Sequence, residues 1–139
     1  AKALQNGWVY TGDAGIFHDE GYLYIVDRLK DMVVTGGENV FTTEVENALI
    51  SHAAVQDVSV IGIPHDEWGE AVHAIVILHP NQITTEKELV AHCRTSIAGY
   101  KIPKGFTFRE DPMPLSGAGK VLKTELRKPF WEGRDRQVN

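Results

Sequence analysis

The residues that most constrain this chain are Ala71–Leu78, which read Ala-Val-His-Ala-Ile-Val-Ile-Leu and are apolar on both alternating faces apart from His73. A run that short cannot span a membrane as a helix, and its patterning predicts a central strand. The β-branched run Val55–Ile63 predicts a second strand, stopped at Pro64. Between them His65-Asp66-Glu67-Trp68-Gly69-Glu70 is a polar loop carrying one large aromatic.

Helices are expected around these strands. Thr43-Glu44-Val45-Glu46 has the spacing of a capping box, with Val45, Ala48, Leu49 and His52 on one face. Thr85-Glu86-Lys87-Glu88 is a second box, followed by Leu89, Cys93 and Ile97 as an inward face. Gly99–Lys104 breaks that helix, and Phe106–Phe108 is a further short strand. Asp111–Pro114 forces an extended loop, Leu115–Lys120 is a flexible loop, and Val121–Lys128 begins a final helix with Leu122 and Leu126 inward. The order from Lys30 onward, β-α-β-β-α-β-α, predicts an α+β fold in which helices flank a small sheet. A short β-hairpin segment precedes it, with Ile16-Phe17 and Tyr22–Val26 as strands and Asp13 in the turn before them.

Composition excludes several classes. Hydrophobic content of 42% and charged content of 24% are those of a globular protein, with no run long enough for a membrane span and no signal-peptide layout. Cys93 is the only cysteine, which rules out an intrachain disulfide and favours a reducing compartment, with cytoplasm the expected location. A net charge of −5 argues against a general nucleic-acid binder. The average hides a split: residues 1–98 carry five Lys or Arg against fourteen Asp or Glu, and residues 99–139 carry nine against five. The basic end is the better place for a phosphate-bearing partner.

Single motifs do not carry a function. Gly117-Ala118-Gly119-Lys120 fails as a nucleotide phosphate loop, because Pro114 stands where its first glycine belongs and Val121 where Ser or Thr must follow the lysine. The histidines lack ligand spacing, so no metal site is expected. No G-x-S-x-G elbow surrounds Ser116. In Asp27–Val40, four charges in five positions lead into Met32-Val33-Val34 and then Gly36-Gly37, which suits either a turn and strand or a pivot.

Six segments together carry more: GWVYTGD at 7–13, DRLKDMVVTGGENV at 27–40, EVE at 44–46, HDEWGE at 65–70, GYKIPK at 99–104 and PLSGAGKVLKTELR at 114–127. In order and spacing this set resembles the C-terminal portion of acyl-CoA synthetases of the adenylate-forming superfamily. The resemblance covers nearly the whole chain from Gly7 to about Arg136.

The resemblance implies a division at residue 29. Residues 1–29 correspond to the distal piece of a large N-terminal domain ending at the hinge, residues 30–132 to a mobile lid, and residues 133–139 to a polar tail. Asp13 matches the acidic residue that holds the ribose hydroxyls of the adenylate, as a carboxylate accepting two hydrogen bonds can. Arg28 matches an arginine that steadies the nucleotide, and Lys30 the hinge. Lys120 matches the catalytic lysine that bridges the substrate carboxylate and the α-phosphate. Gly36 and Gly37 match glycines of the pantetheine tunnel. Trp68 and Tyr100 match positions that contact the CoA nucleotide in some relatives, and Lys101 and Lys104 are near enough to serve its phosphates. Ile102 stands where some members have a basic residue.

The implied substrates are ATP, coenzyme A and a carboxylic acid, with Mg2+ held alongside ATP by the N-terminal domain, which would also supply the acyl pocket. A fatty acid is the expected acid. An aryl acid, a peptide-synthetase adenylation domain and a stand-alone, non-enzymatic module with the same fold are the alternatives.

Overall fold

In the computed structural model, residues 3–135 are described. Four short strands come first: β1 (Leu4–Gln5) with β2 (Trp8–Val9), and β3 (Asp13–Phe17) with β4 (Leu23–Arg28), each pair an antiparallel hairpin. Then follow β5 (Val33–Thr35), β6 (Glu38–Val40), α1 (Thr42–Ile50), β7 (Val55–His65), β8 (Gly69–Leu78), α2 (Glu86–Cys93), β9 (Gly105–Phe108) and α3 (Lys123–Trp131). This is an α+β fold of a small sheet flanked by helices, as the sequence pattern predicts.

The apolar run of β8 does occupy the middle of the sheet. One edge pairs antiparallel with β7 along its length, and the other meets β5 at Gly69 and runs parallel to β9 from His73 to Val76. Because successive side chains alternate, β8 feeds two cores. Val72, Ala74 and Val76 join Val58 and Val60 of β7 beneath Val45, Leu49 and Leu89 of α1 and α2. Ile75 joins Ile61 on the opposite face, with Leu126 of α3 and Met113. His73 also faces α3, with its ring 4.9 Å from that of Phe130 and its Nε2 2.8 Å from the Thr107 hydroxyl.

Several local expectations are corrected. Asp13 opens strand β3 opposite Arg28 and is not in a turn, because the Ala14–Phe17 run extends the pairing back to it. Strand β7 continues through Pro64 to His65; as an edge strand it tolerates a residue without an N–H. The capping box at Thr43 does not form: α1 starts at Thr42, and neither Thr43 nor Glu46 caps it. A carboxylate from β4, Asp27, reaches those N–H groups first, and Glu46 turns inward to the backbone N–H of Val60. The box at Thr85 and Glu88 does form, since nothing distant competes for it. His52 and Ile97 lie just beyond the ends of their helices. The final helix starts later and ends later than expected, Lys123–Trp131, with Leu122 before its first turn and Pro129 inside it. Of the polar tail, residues 136–139 lie outside the described residues.

Candidate functional site

Two clefts lie at the two ends of β5. Gly36-Gly37 closes the β5–β6 hairpin as a two-residue loop with φ of 56° and 83°. Positive φ at both positions is what a tight hairpin turn of this twist needs, and glycine adopts it without strain. The turn leaves room beside Trp68, whose carbonyl accepts a hydrogen bond from Gly36 N–H at 3.1 Å. A Cβ built on Gly36 would touch the indole at 3.8 Å.

Gly36 and Trp68 share a cleft of 230 Å³ with Thr35, Glu38, Tyr100 and Lys104. The indole is stacked on His65 at 4.2 Å between ring centres, and the Lys104 ammonium sits 5.7 Å above the indole. His65 Nδ1 accepts from the backbone N–H groups of Glu67 and Trp68, which fixes the tight loop under the indole. An aromatic platform with an exposed cation suits a ring-bearing, anionic ligand. Lys101 takes another direction. Its ammonium bonds both oxygens of Glu44, at 2.7 and 2.9 Å, and that hydrogen bond raises its pKa. It therefore braces the 3₁₀ turn Gly99–Lys101 against α1. Gly37 and Lys101 do not line the cleft.

The other cleft, of 220 Å³, is basic. Arg28, Lys30, Lys120 and Lys123 line it, with Asp31 and Ser116. Asp13 stands just outside, paired across the β3–β4 hairpin with Arg28 at 3.8 Å. Lys120 lies on a loop whose ends are joined by a bridge between Leu115 and Val121. Inside it, Ser116 N–H donates to Lys120 C=O at 2.7 Å, Gly119 N–H donates to Ser116 C=O at 2.9 Å, and Gly119 takes φ of 77°. The flexible loop of the sequence reading is thus held as a closed turn that presents an exposed lysine side chain.

Two partly buried ion pairs support this cleft, and neither was legible in advance. Lys123 Nζ donates to Glu46 Oε1 and to Thr42 Oγ1, both at 2.7 Å. Burial outweighs that ammonium and raises the Glu46 pKa. Arg127 Nη1 lies 3.2 Å from Asp31 Oδ1 with both side chains largely covered. The partners are 77 and 96 residues apart. Among the described residues, no group of three His, Cys, Asp or Glu converges on a point where a metal could sit, and no helix is long and apolar enough to cross a membrane.

Fold and clefts define a class, the C-terminal part of adenylate-forming enzymes. Residues 44–120 match the family described as the AMP-binding enzyme C-terminal domain, and the chain belongs to that family. It is 48% identical over 128 residues to the long-chain-fatty-acid–CoA ligase FadD13 of Mycobacterium tuberculosis, covering 92% of this chain and 25% of that protein. It is 43% identical over 130 residues to a feruloyl-CoA synthase of Amycolatopsis, covering 94% of this chain and 26% of that protein. Among solved structures, the o-succinylbenzoate CoA synthetase MenE of Bacillus subtilis, in complex with its acyl-adenylate intermediate, superposes with a TM-score of 0.83 at 38% identity. That match covers 91% of this chain and 26% of the MenE chain. The chain therefore spans about a quarter of the length of the relatives it matches.

Proposed function

We propose that this chain is the mobile C-terminal domain of an ATP-dependent acid–CoA ligase, with residues 1–29 as the last piece of a larger domain and residues 30–132 as the lid. The observation that carries the reading is the basic cleft, where Arg28, Lys30 and Lys120, drawn from segments about ninety residues apart, line one space. In the first half-reaction a substrate carboxylate oxygen attacks the α-phosphorus of ATP and pyrophosphate leaves. Lys120 sits between the two anions and offsets the charge that would keep them apart. Asp13 accepts from the ribose hydroxyls, and Arg28, which it orients through their ion pair, steadies the nucleotide. In the second half-reaction the CoA sulfur attacks the acyl carbon and AMP leaves. The lid then presents its other cleft, where Gly36 leaves space for the thiol arm, with Gly37 next to it in the hairpin turn, while Trp68, Tyr100 and Lys104 hold the nucleotide end. Lys101 would join them only by releasing Glu44. These residues offer no donor set for Mg2+, which on this reading accompanies ATP in the larger domain, and no step here depends on it.

A fatty acid is the favoured substrate, supported by the similarity to FadD13. An aryl acid is the second reading, favoured by the feruloyl-CoA synthase. In the full-length protein, Lys120→Ala should slow acyl-AMP formation about a hundredfold or more while leaving thioester formation from supplied acyl-AMP nearly intact. Equal loss in both half-reactions would refute the role given to Lys120. Pyrophosphate release measured with a panel of fatty and aryl acids decides between the two substrate readings.

A further inference from the structure

The structure assigns Asp27 as a positioning residue that holds the lid in its adenylate-forming orientation. This rests on the reading above, in which Lys30 is the pivot. Asp27 lies three residues before that pivot, on β4, yet its carboxylate is spent on residues that follow it. Asp27 Oδ2 accepts from Thr42 N–H at 2.6 Å, from the Thr42 hydroxyl at 2.8 Å and from Thr43 N–H at 3.4 Å. The Thr43 hydroxyl completes the set by donating to the Val26 carbonyl at 2.6 Å. The first turn of α1 is thus capped not by its own N-cap residue, Phe41, but by a side chain from the other side of the pivot.

The site is enclosed. Asp27 is 9% exposed and Thr42 is fully buried. A carboxylate taken that far out of water needs compensation, here from the free N–H groups and positive end of a nine-residue helix. The Lys123 ammonium adds to it from behind Thr42, 2.7 Å from the hydroxyl that Asp27 accepts from. The second carboxylate oxygen accepts from Arg28 N–H at 2.8 Å, so the group that caps the lid helix also fixes the backbone of the nucleotide-binding arginine.

Rotation about Lys30 would carry Thr42, Thr43 and Lys123 away from Val26 and Asp27 together. These four hydrogen bonds between Val26–Asp27 and Thr42–Thr43 are made in the orientation in which Lys120 and Arg28 share a cleft, and rotation away from it would break them. Bonds present in one state and absent in the other set the balance between the two. Asp27 therefore positions Lys120 without touching substrate.

The test compares half-reactions in the full-length protein. Asp27→Ala should slow acyl-AMP formation about tenfold and leave thioester formation from supplied acyl-AMP unchanged or faster. Asp27→Asn, which keeps an oxygen facing Thr42 and Thr43, should fall between Asp27→Ala and the parent. If Asp27→Ala does not fold, Thr43→Ala removes only the bond to the Val26 carbonyl and should shift the same ratio roughly threefold. A cap that served only stability would lower the unfolding midpoint and both half-reactions alike, and that result overturns the proposal. So does a ratio that moves with neither variant. Lys120→Ala, run alongside, separates the failures. If it loses both steps equally, the ligase reading and this proposal fall together. If it behaves as expected and Asp27→Ala does not, only the role of Asp27 falls.

Discussion

In residues 3–29 Trp8, Val9, Tyr10, Phe17, Tyr22 and Ile25 are exposed, whereas in residues 33–131 Val33, Val45, Leu49, Val60 and Leu89 have no accessible surface at all. Both regions are rich in apolar side chains and both pair their strands. The difference is what the strands pack against. Two-stranded ribbons have two faces and nothing to cover them, so β1–β4 satisfy their backbone without enclosing a core. The later sheet has α1 and α2 on one face and α3 on the other, which gives the alternating side chains of β8 two dry destinations. Strand pairing and core formation are therefore separable. In the proposed reading the bare aromatic face of residues 3–29 belongs against the larger domain. Asp27 stands apart in that segment as a buried residue bonded to the later region.

Breaking the buried side of the comparison should have the largest effect. Leu49→Ala removes a fully buried side chain between α1 and the sheet and should cost about 3 kcal/mol in denaturant unfolding of this chain. A loss below about 1 kcal/mol would mean that this core is loosely packed.

An intermediate effect comes from His73, enclosed by β7, β9 and α3. Its neighbours there are Ile61 across the ladder, Gly105 and Thr107 on β9, and Phe130. Nδ1 is buried without a hydrogen-bond partner, and burial lowers the pKa of the ring. The unfolded chain, with an ordinary imidazole near 6.5, then binds more protons than the folded one just below that pH. Stability should therefore be full above about 6.5 and fall as pH drops toward the lowered folded value, by at most about 1.4 kcal/mol per pH unit. Unfolding of the parent and of His73→Gln at several pH values checks this. The variant should lose that part of the slope, and an unchanged slope would assign it to other groups.

The smallest effect is expected in the first region. Phe17, 77% exposed, should tolerate Phe17→Ser within about 0.5 kcal/mol in this chain. A cost above about 1 kcal/mol would show that residues 3–29 share the later core after all, and the contrast would fail.

What could be read ahead of the structure follows how far apart the interacting residues are. The Thr85–Glu88 box formed because both partners lie within one turn. The matching pattern at Thr43–Glu46 was overridden from fifteen residues away, where Asp27 bonds Thr42, and from seventy-seven, where Lys123 bonds Glu46. Asp13 and Arg28 were each singled out separately, but their pairing across the β3–β4 hairpin emerged only from strand register.

By itself the sequence determined the principal strands and helices and most of the residues that they bury, because alternation along a strand and helical spacing are fixed by neighbours in the chain. It also determined the family, through six motifs in register. Only the tertiary structure decided which charges meet. It set Lys101 on Glu44, Lys123 on Glu46, Arg127 on Asp31 and Asp27 on the start of α1. Those choices depend on which elements the packed sheet brings within about 3 Å of one another, a distance that no local pattern encodes.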